Sequence, residues 1–298
     1  MRLSAKLKRR HSLNILHGAG IVLFSGVFAW QVSAQQDPEQ RNIVAIGGSV
    51  TEIVFALDQQ HRLIARDTTS LYPPEVLDLP DVGYVRALSP EGVLSVGPEL
   101  VIAEEGAGPA EAVNVLRKSS VPYVTVPEVD SPAGVIDKIR VVGAALGVDE
   151  QAEALARETQ TNFEEVIAAV QAQDADKRRV MFILSTQGNR VMASGVNTAA
   201  DAIINLAGGE NVIQTFEGYK PVTEEAILAA QPDVILMMAR RGNHSSTNEQ
   251  LWSMAALAET PAAKTEAVVR IDGLLLLGFG PRTPEAIETL YQALYEAS

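Results

Sequence analysis

The sequence contains no cysteine, and this absence excludes both disulfide bonds and thiolate metal sites. Histidine is scarce as well, since only His61 and His244 follow residue 34. Two distant histidines do not provide the converging ligands expected of a zinc or manganese carrier. The sequence also lacks the Gly-x-Ser-x-Gly motif that is typical of α/β-hydrolases. Together these absences predict a protein that is not an enzyme.

Positive charge is also in short supply. The 298 residues include 24 Lys and Arg against 37 Asp and Glu, which gives a formal net charge of −13. A strongly acidic chain is repelled by nucleic acids and by anionic membrane surfaces. We therefore expect no nucleic-acid partner, and we interpret the acidity as a source of solubility.

A long apolar run occurs only near the start of the chain. Basic residues at positions 2, 6 and 8–10 precede an apolar run over residues 19–32, and Val32-Ser33-Ala34 follows. This order is typical of a secretory signal peptide that is cleaved after Ala34. A membrane anchor needs about 20 apolar residues, which is longer than this run. Because no cysteine follows, we predict a periplasmic protein that is free of a lipid anchor.

Beyond residue 34, short apolar runs alternate with amphipathic stretches. The predicted buried strands cover residues 43–46, 63–65, 100–103, 123–126 and 179–184. The predicted helices of the first half cover residues 50–57, 90–96, 109–119 and 132–146. Strands that alternate with helices indicate an α/β fold whose sheets are mainly parallel.

One long helical pattern divides the chain. Residues 150–173 contain neither Gly nor Pro, and Asp149 precedes them as the predicted N-cap. Such a helix extends about 36 Å at 1.5 Å per residue. We predict that it connects two lobes, whereas the alternative is a long surface helix on one domain. The predicted boundaries are a signal peptide at 1–34, an N-terminal lobe at 35–148, a connecting helix at 149–173 and a C-terminal lobe at 174–298.

The two predicted lobes echo each other in sequence. Glu91 precedes a proline by seven residues, an acidic residue follows that proline and a strand begins; Glu225 stands in the same relation to the next such proline. Gly83-Tyr84 in the first lobe is matched by Gly218-Tyr219 in the second. We interpret these matches as two Rossmann-like lobes in a monomer. Clefts between domains are where ligands usually bind.

Tyr84 lies in the most informative segment of the chain. It stands two residues before Arg86 and seven before Glu91, in a stretch bounded by Pro80 and Gly92. An unperturbed tyrosine keeps its proton until about pH 10. A neighbouring guanidinium favours the phenolate, and tyrosine is among the axial ligands of haem iron. From the spacing alone, Tyr84 is either an iron ligand or a packed loop aromatic.

Two longer motifs give the sequence a family resemblance. Segment 79–92 is centred on Gly83-Tyr84-x-Arg86, and segment 276–284 reads Leu-Leu-Gly-Phe-Gly-Pro-Arg-Thr-Pro. From residue 41 onwards, the chain resembles the periplasmic substrate-binding proteins of haem-uptake ABC transporters. These belong to a larger class that also carries cobalamin and ferric siderophores. The resemblance implies a binding protein for haem, and a cobalamin or siderophore carrier is the alternative.

The resemblance also implies roles for particular residues. The tyrosine of the motif ligates haem iron in that family, so this role falls on Tyr84, with Arg86 placed near the ligand in support of the phenolate. Some members add a histidine just after the strand that opens the second lobe. Residues 184–188 contain no histidine here, so a second protein ligand of that type is not expected.

Further residues are candidates to line the cleft. Tyr219 either stacks on the porphyrin or only packs, and Tyr72 is placed at the cleft rim. Arg240 and Arg282 are candidates to bind the haem propionates, since a guanidinium matches a carboxylate; the alternative for Arg282 is to cap the turn before the last helix. His244 is a candidate second iron ligand.

Glu91 and Glu225 are the candidate docking residues. In the resembled family one glutamate on each lobe meets arginines of the inner-membrane permease dimer, and these two match that pattern. The simpler explanation is that a carboxylate at a helix N-terminus is stabilised by the backbone dipole. Their equivalent positions on two lobes favour a partner surface.

Overall fold

The computed structural model describes residues 42–186, 190–239 and 246–296. The first lobe contains a four-stranded, fully parallel sheet in the order β2-β1-β3-β4. Its strands are β1 (Ile43–Ile46), β2 (Leu63–Arg66), β3 (Leu100–Glu104) and β4 (Tyr123–Val126). Every residue of β1 is buried, as expected of a central strand covered on both faces. The predicted strands are confirmed, with one added residue on β2 and on β3.

Four helices follow the strands of the first lobe. They are α1 (Gly48–Ala56), α2 (Pro90–Ser95), α3 (Ala110–Lys118) and α4 (Pro132–Leu146). Helix α4 has the predicted bounds because Ser131 caps its N-terminus and Gly147, with φ of +74°, ends it in the left-handed conformation. Helix α1 begins at Gly48, two residues before the predicted start. Two short 3₁₀ helices, Gln60–Arg62 and Pro74–Asp78, complete the lobe.

The long helix α5 (Asp149–Gln171) follows directly after α4. It ends two residues before the predicted bound, and the predicted N-cap is wrong by one position. Asp149 is the first helical residue, and Val148 occupies the N-cap without a side-chain hydrogen bond. The reason is that α4 and α5 are separated only by the Gly147 turn. Helix α5 packs against α4 and also against the last helix, α12, which is the arrangement expected of a connecting helix.

The second lobe has a mixed sheet in the order β10-β9-β5-β6-β8, and β7 pairs with β5. Strands β5, β7, β9 and β10 are parallel, whereas β6 is antiparallel to both β5 and β8. The bounds are β5 (Arg179–Ser185), β6 (Val191–Ser194), β7 (Glu210–Asn211), β8 (Tyr219–Val222), β9 (Val234–Ala239) and β10 (Val268–Asp272). The two-lobe α/β prediction is confirmed, and the antiparallel part is an addition to it.

Seven helices cover the second lobe in the described residues. They are α6 (Ala199–Leu206), α7 (Glu224–Ala230), α8 (Asn248–Trp252), α9 (Ala255–Ala258), α10 (Pro261–Lys264), α11 (Gly273–Leu277) and α12 (Thr283–Tyr295). Five of these helices begin after a threonine or aspartate N-cap whose side chain accepts a backbone hydrogen bond. None of the helices in the described ranges is both long and apolar enough to cross a membrane.

The two lobes contact each other through α1, α4 and the segment around α11. A Cβ atom on Gly48 at the start of α1 would collide with the side chain of Leu274 in α11, so the two elements approach closely at this point. Lys138 of α4 donates from Nζ to the carbonyl oxygen of Gly278 over 3.4 Å. In parallel sheets the carboxyl ends of the strands share one edge, and ligands bind in the crevice outside that edge. The loops after β1, β2, β3 and β4 therefore border the cleft from the first lobe.

Candidate functional site

Tyr84 is held on a fixed backbone at the cleft side of the first lobe. The Ala87 amide donates to the Tyr84 carbonyl over 2.8 Å, which closes a tight turn. Thr68, just after β2, donates to the Gly83 carbonyl over 3.0 Å, and Gly108 donates to the Val85 carbonyl over 2.8 Å. Backbone hydrogen bonds thus hold the loop on both sides of Tyr84, while the Tyr84 side chain is 47% exposed. A rigid backbone that presents an exposed phenol is suited to ligand binding.

Gly83 allows this presentation. Its φ is +106°, a conformation that residues other than glycine rarely adopt. The equivalent Gly218, which precedes Tyr219, has φ of +77°. The Gly-Tyr match in the sequence therefore corresponds to a positive φ at both glycines. The following structure differs, since Tyr84 enters a turn and Tyr219 begins strand β8.

Arg86 is exposed, and the two nearby carboxylates that could pair with it, Asp81 and Glu91, interact with other groups. Asp81 pairs with Arg66 over 3.1 Å, and the Glu91 carboxylate accepts a hydrogen bond from the Ser89 hydroxyl over 2.9 Å. Within the described ranges no ion pair engages the Arg86 guanidinium. Burial raises the pKa of Tyr219, and the Arg86 charge is the smallest of the influences that oppose this rise. Arg86 therefore lies near Tyr219 across the boundary between the lobes.

Tyr219 has a partly exposed ring and a phenol near the start of α6. Burial raises the pKa of Tyr219 above its ordinary value, while the nearby Ala200 backbone and Thr198 side chain oppose that rise. Both groups belong to the N-terminus of α6, where Thr198 is the N-cap. The ring packs edge-on against Phe182 with centroids 6.2 Å apart and remains 37% exposed. This arrangement fixes an aromatic surface and favours a neutral phenol.

Tyr72 and Arg282, predicted separately, are in direct contact. The Arg282 guanidinium carbon lies 3.5 Å from the centroid of the Tyr72 ring. The same guanidinium forms an ion pair through Nη2 with Glu52 of α1. Arg282 occupies the N-cap position of α12, but its side chain makes no capping hydrogen bond. The predicted capping alternative for its side chain is therefore wrong, because the side chain is directed to the first lobe.

Sequence reasoning missed a buried polar network beneath the cleft. The Asp67 carboxylate accepts from the Gly47 amide over 2.9 Å and from the Ser70 hydroxyl over 2.7 Å. The Glu104 carboxylate accepts from the Ser49 hydroxyl over 2.5 Å. Burial raises the pKa of Glu104, and the Lys138 ammonium opposes this rise. The sequence feature that could have identified these two acids is their position, since Asp67 and Glu104 stand at the carboxyl ends of β2 and β3.

The side of the cleft next to β3 and β4 is acidic. Glu105, Glu128 and Asp130 follow these strands, and the pKa of Asp130 is raised by burial and then by Glu128, with Lys138 opposing. Burial and, to a smaller extent, the Asp130 charge raise the pKa of Tyr219, so Asp130 lies near that tyrosine. An anionic ligand group is repelled from this side of the cleft and favoured near Arg86.

The remaining candidates fall into two groups. Arg240 and His244 lie outside the described residues. Glu91 and Glu225 are exposed in the first turns of α2 and α7. Across the described ranges, no group of three or more His, Asp or Glu side chains is arranged to hold a metal ion.

Comparisons with known proteins agree with this architecture. The periplasmic binding protein family matches residues 43–274. The solved periplasmic heme-binding protein BhuT, in complex with two hemes, is 38% identical and superposes with a TM-score of 0.82. That match covers 86% of this chain and 98% of BhuT.

Two curated relatives differ in name. An ABC transporter substrate-binding lipoprotein of Bacillus subtilis (strain 168), YvrC, which is described as uncharacterized, is 26% identical over 86% of this chain and 81% of its own length. The vitamin B12-binding protein of Vibrio parahaemolyticus serotype O3:K6 is 23% identical over 90% of this chain and 94% of its own length. The relatives thus agree on the class of protein and differ in the ligand.

Proposed function

The chain belongs to the periplasmic binding protein family, and we propose that it captures ferric haem and delivers it to an ABC importer. The class is that of a substrate-binding protein of an ABC transporter. The haem assignment is supported by the 38% identity to BhuT. The observation that carries it is Tyr84, an exposed phenol on a doubly fastened loop with Arg86 two residues away.

The chemistry of the loop suits an oxidised iron. A phenolate is a hard anionic oxygen ligand, and tyrosine is a known axial ligand of haem iron. The phenolate forms more readily next to a guanidinium, because the positive charge stabilises the deprotonated oxygen. In the proposed complex Tyr84 binds iron, Arg86 stabilises the bound oxygen, and the ring of Tyr219 borders the macrocycle from the second lobe.

The charge distribution supports an orientation for the ligand. Haem carries two propionates, and Glu105, Glu128 and Asp130 make the β3–β4 side of the cleft unfavourable for them. We infer that the propionates point away from that side. Arg240 remains a candidate to bind a propionate, and His244 remains a candidate second iron ligand.

Cobalamin is the second candidate ligand, because relatives at 22–26% identity are named vitamin B12-binding proteins. A ferric siderophore is a further alternative of the same class. Neither needs a protein phenolate on its metal. The two candidates are therefore separated by the dependence of binding on the Tyr84 oxygen.

A haemin titration tests the proposal. We expect saturable binding and a ferric–phenolate absorption band that is lost in Tyr84→Phe, which retains the ring and removes only the oxygen. Tyr123→Phe is the matched control, because Tyr123 also lies beside an arginine, Arg117, but stands at the amino end of β4, opposite the cleft. Its spectrum should equal that of the parent. Tight cyanocobalamin binding with no haemin spectrum would replace haem by cobalamin.

The proposed location is the periplasm, with the signal peptide removed after Ala34. Although the relative YvrC is a lipoprotein, this sequence contains no cysteine to carry a lipid. We propose a free monomer whose Glu91 and Glu225 dock on the permease dimer. Globomycin-insensitive processing and release of the protein on osmotic shock would support this, whereas a membrane-bound product would contradict it.

A further inference from the structure

Three side chains from separate parts of the chain form one connected group, which we call the brace: Glu52 of α1, Tyr72 after β2, and Arg282 before α12. The Arg282 guanidinium pairs with the Glu52 carboxylate and lies over the Tyr72 ring. Glu52 and Tyr72 belong to the first lobe and Arg282 to the second. The brace therefore crosses the boundary between the lobes.

Burial makes the Glu52–Arg282 pair depend on both partners. The Glu52 side chain is 5% exposed and the Arg282 side chain is 20% exposed. A buried charge left without its partner is strongly unfavourable, so each partner holds the other in place. The Glu52 carboxylate also lies close to the backbone at Gly280, where an added Cβ would be 3.0 Å from one carboxylate oxygen.

The brace leaves one surface of Tyr72 open. The guanidinium covers one face of the ring at 3.5 Å, and Tyr72 is nevertheless 41% exposed. A guanidinium attracted to a ring face fixes the orientation of that ring. Tyr72 and Tyr84 both lie in the connection that follows β2. Thr68, at the start of this connection, donates a backbone hydrogen bond to the Gly83 carbonyl. Both tyrosines thus belong to loops on the cleft edge of the sheet.

We propose that the brace holds Tyr72 as a stacking surface for the flat conjugated face of the ligand, with Arg282 acting behind that surface. Arg282 is then a positioning residue, and it does not bind a carboxylate of the ligand. For haem as the ligand, the inference rests on the proposed function. The opposing interpretation is that a propionate reaches the Arg282 Nε, which is buried and has no hydrogen-bond partner among residues that the structure describes.

Haemin and haemin dimethyl ester separate the two interpretations, because the ester has no carboxylate. Single replacement of Arg282 leaves Glu52 unpaired, so the test uses Glu52→Gln with Arg282→Gln, which removes both charges together and permits an amide–amide hydrogen bond. If Arg282 positions Tyr72, affinity for haemin and for its ester falls by the same factor, about 3- to 10-fold, as expected from loss of one aromatic contact. A fall for haemin alone would establish carboxylate binding and overturn the inference.

A second measurement excludes a merely structural role. In a Tyr72→Leu background, the paired glutamine replacements should cause no further loss of haemin affinity, although they still change the unfolding midpoint. Equal losses in the two backgrounds would overturn the inference while leaving the proposed function intact.

Haemin binding by the parent protein distinguishes failure of the inference from failure of the proposed function. If the parent binds haemin through Tyr84 and the paired glutamine replacements leave the haemin affinity unchanged, only the inference is refuted. Parent protein that binds no haemin refutes the proposed function, and the same variants are then titrated with cyanocobalamin, whose corrin ring is also conjugated. A brace-dependent affinity for cyanocobalamin would support the stacking surface, and brace-independent binding or no binding would refute it.

Discussion

Glu91 and Glu225 occupy the same position in equivalent helices of the two lobes. Each is the second residue after a hydroxyl N-cap, Ser89 in α2 and Thr223 in α7. In both, a backbone hydrogen bond and then the cap hydroxyl lower the pKa of the carboxyl. Both carboxylates are exposed. Two ionised, pre-positioned and solvent-facing glutamates meet the requirements for charge-assisted bonds to arginines of a partner.

This symmetry predicts a separation of uptake from binding. Replacing both Glu91 and Glu225 by Ala should abolish or strongly impair haem uptake by cells while leaving the haemin dissociation constant of the purified protein unchanged. Glu249→Ala is the matched control, because Glu249 is the second residue after the Thr247 cap of α8, and the cap hydroxyl and then a backbone hydrogen bond lower its pKa. Uptake at the parental rate in the double variant would reject the docking surface.

Arg86 should control the pH at which the iron–phenolate bond forms. In Arg86→Ala the phenolate loses the nearby positive charge, so we expect the ferric–phenolate band to appear only at higher pH than in the parent. Arg86→Lys keeps a charge and should lie between the two. A spectrophotometric pH titration of the haemin complexes measures this shift. Identical titrations for all three proteins would show that Arg86 does not act on the bound oxygen.

Some of this site was predictable from sequence and some was not. Tyr84 and Arg86 lie in one local motif, and Gly83 marks the backbone conformation that presents them. The Glu52–Arg282 contact joins residues 230 positions apart, and nothing local to Arg282 indicates a buried carboxylate. Motif 276–284 correctly drew attention to Arg282 but could not identify what its side chain contacts.

The same distinction applies to the fold. Helix α4 was predicted to the residue because Ser131, Pro132 and Gly147 are local start and stop signals. The strand pairs β5–β6 and β6–β8 were not foreseen as antiparallel, because strand direction depends on which segments pair and not on the pattern within one strand. Asp149 was misplaced as a cap because its side-chain type fits an N-cap, whereas the short Gly147 turn leaves Val148 in that position.

The buried acids predict a stability that falls as pH rises. Burial raises the pKa of Glu52, Glu104 and Asp130 in the folded protein. Between the unfolded value and the raised folded value, the folded state binds more protons than the unfolded state, so the free energy of unfolding decreases with increasing pH. Each pKa unit of difference corresponds to about 1.4 kcal/mol.

Glu104→Gln checks this prediction. The variant removes one of the three groups, and chemical denaturation between pH 4.5 and 8 should show a shallower decrease in the free energy of unfolding than in the parent. Glu105→Gln, at the exposed neighbouring position, is the control and should retain the parental slope. A Glu104→Gln slope equal to that of the parent would mean that this carboxyl titrates alike in both states.

We predict that helix α5 limits how far the lobes can move. Its 23 residues contain neither Gly nor Pro, and it packs on α4 of the first lobe and on α12 of the second. Sharp bends in helices arise mainly at proline, at glycine–serine pairs or at π-bulges, so we expect the lobes to keep their arrangement when ligand binds. Crystal structures and X-ray scattering of the free and haemin-bound protein should show nearly equal lobe orientation and radius of gyration. Gln160→Gly with Thr161→Gly, both at exposed positions in the middle of α5, should loosen the helix and widen the scattering difference. A large hinge rotation in the parent would show that α5 does not restrain the lobes, because the contacts that it makes on both sides would have to break or slide.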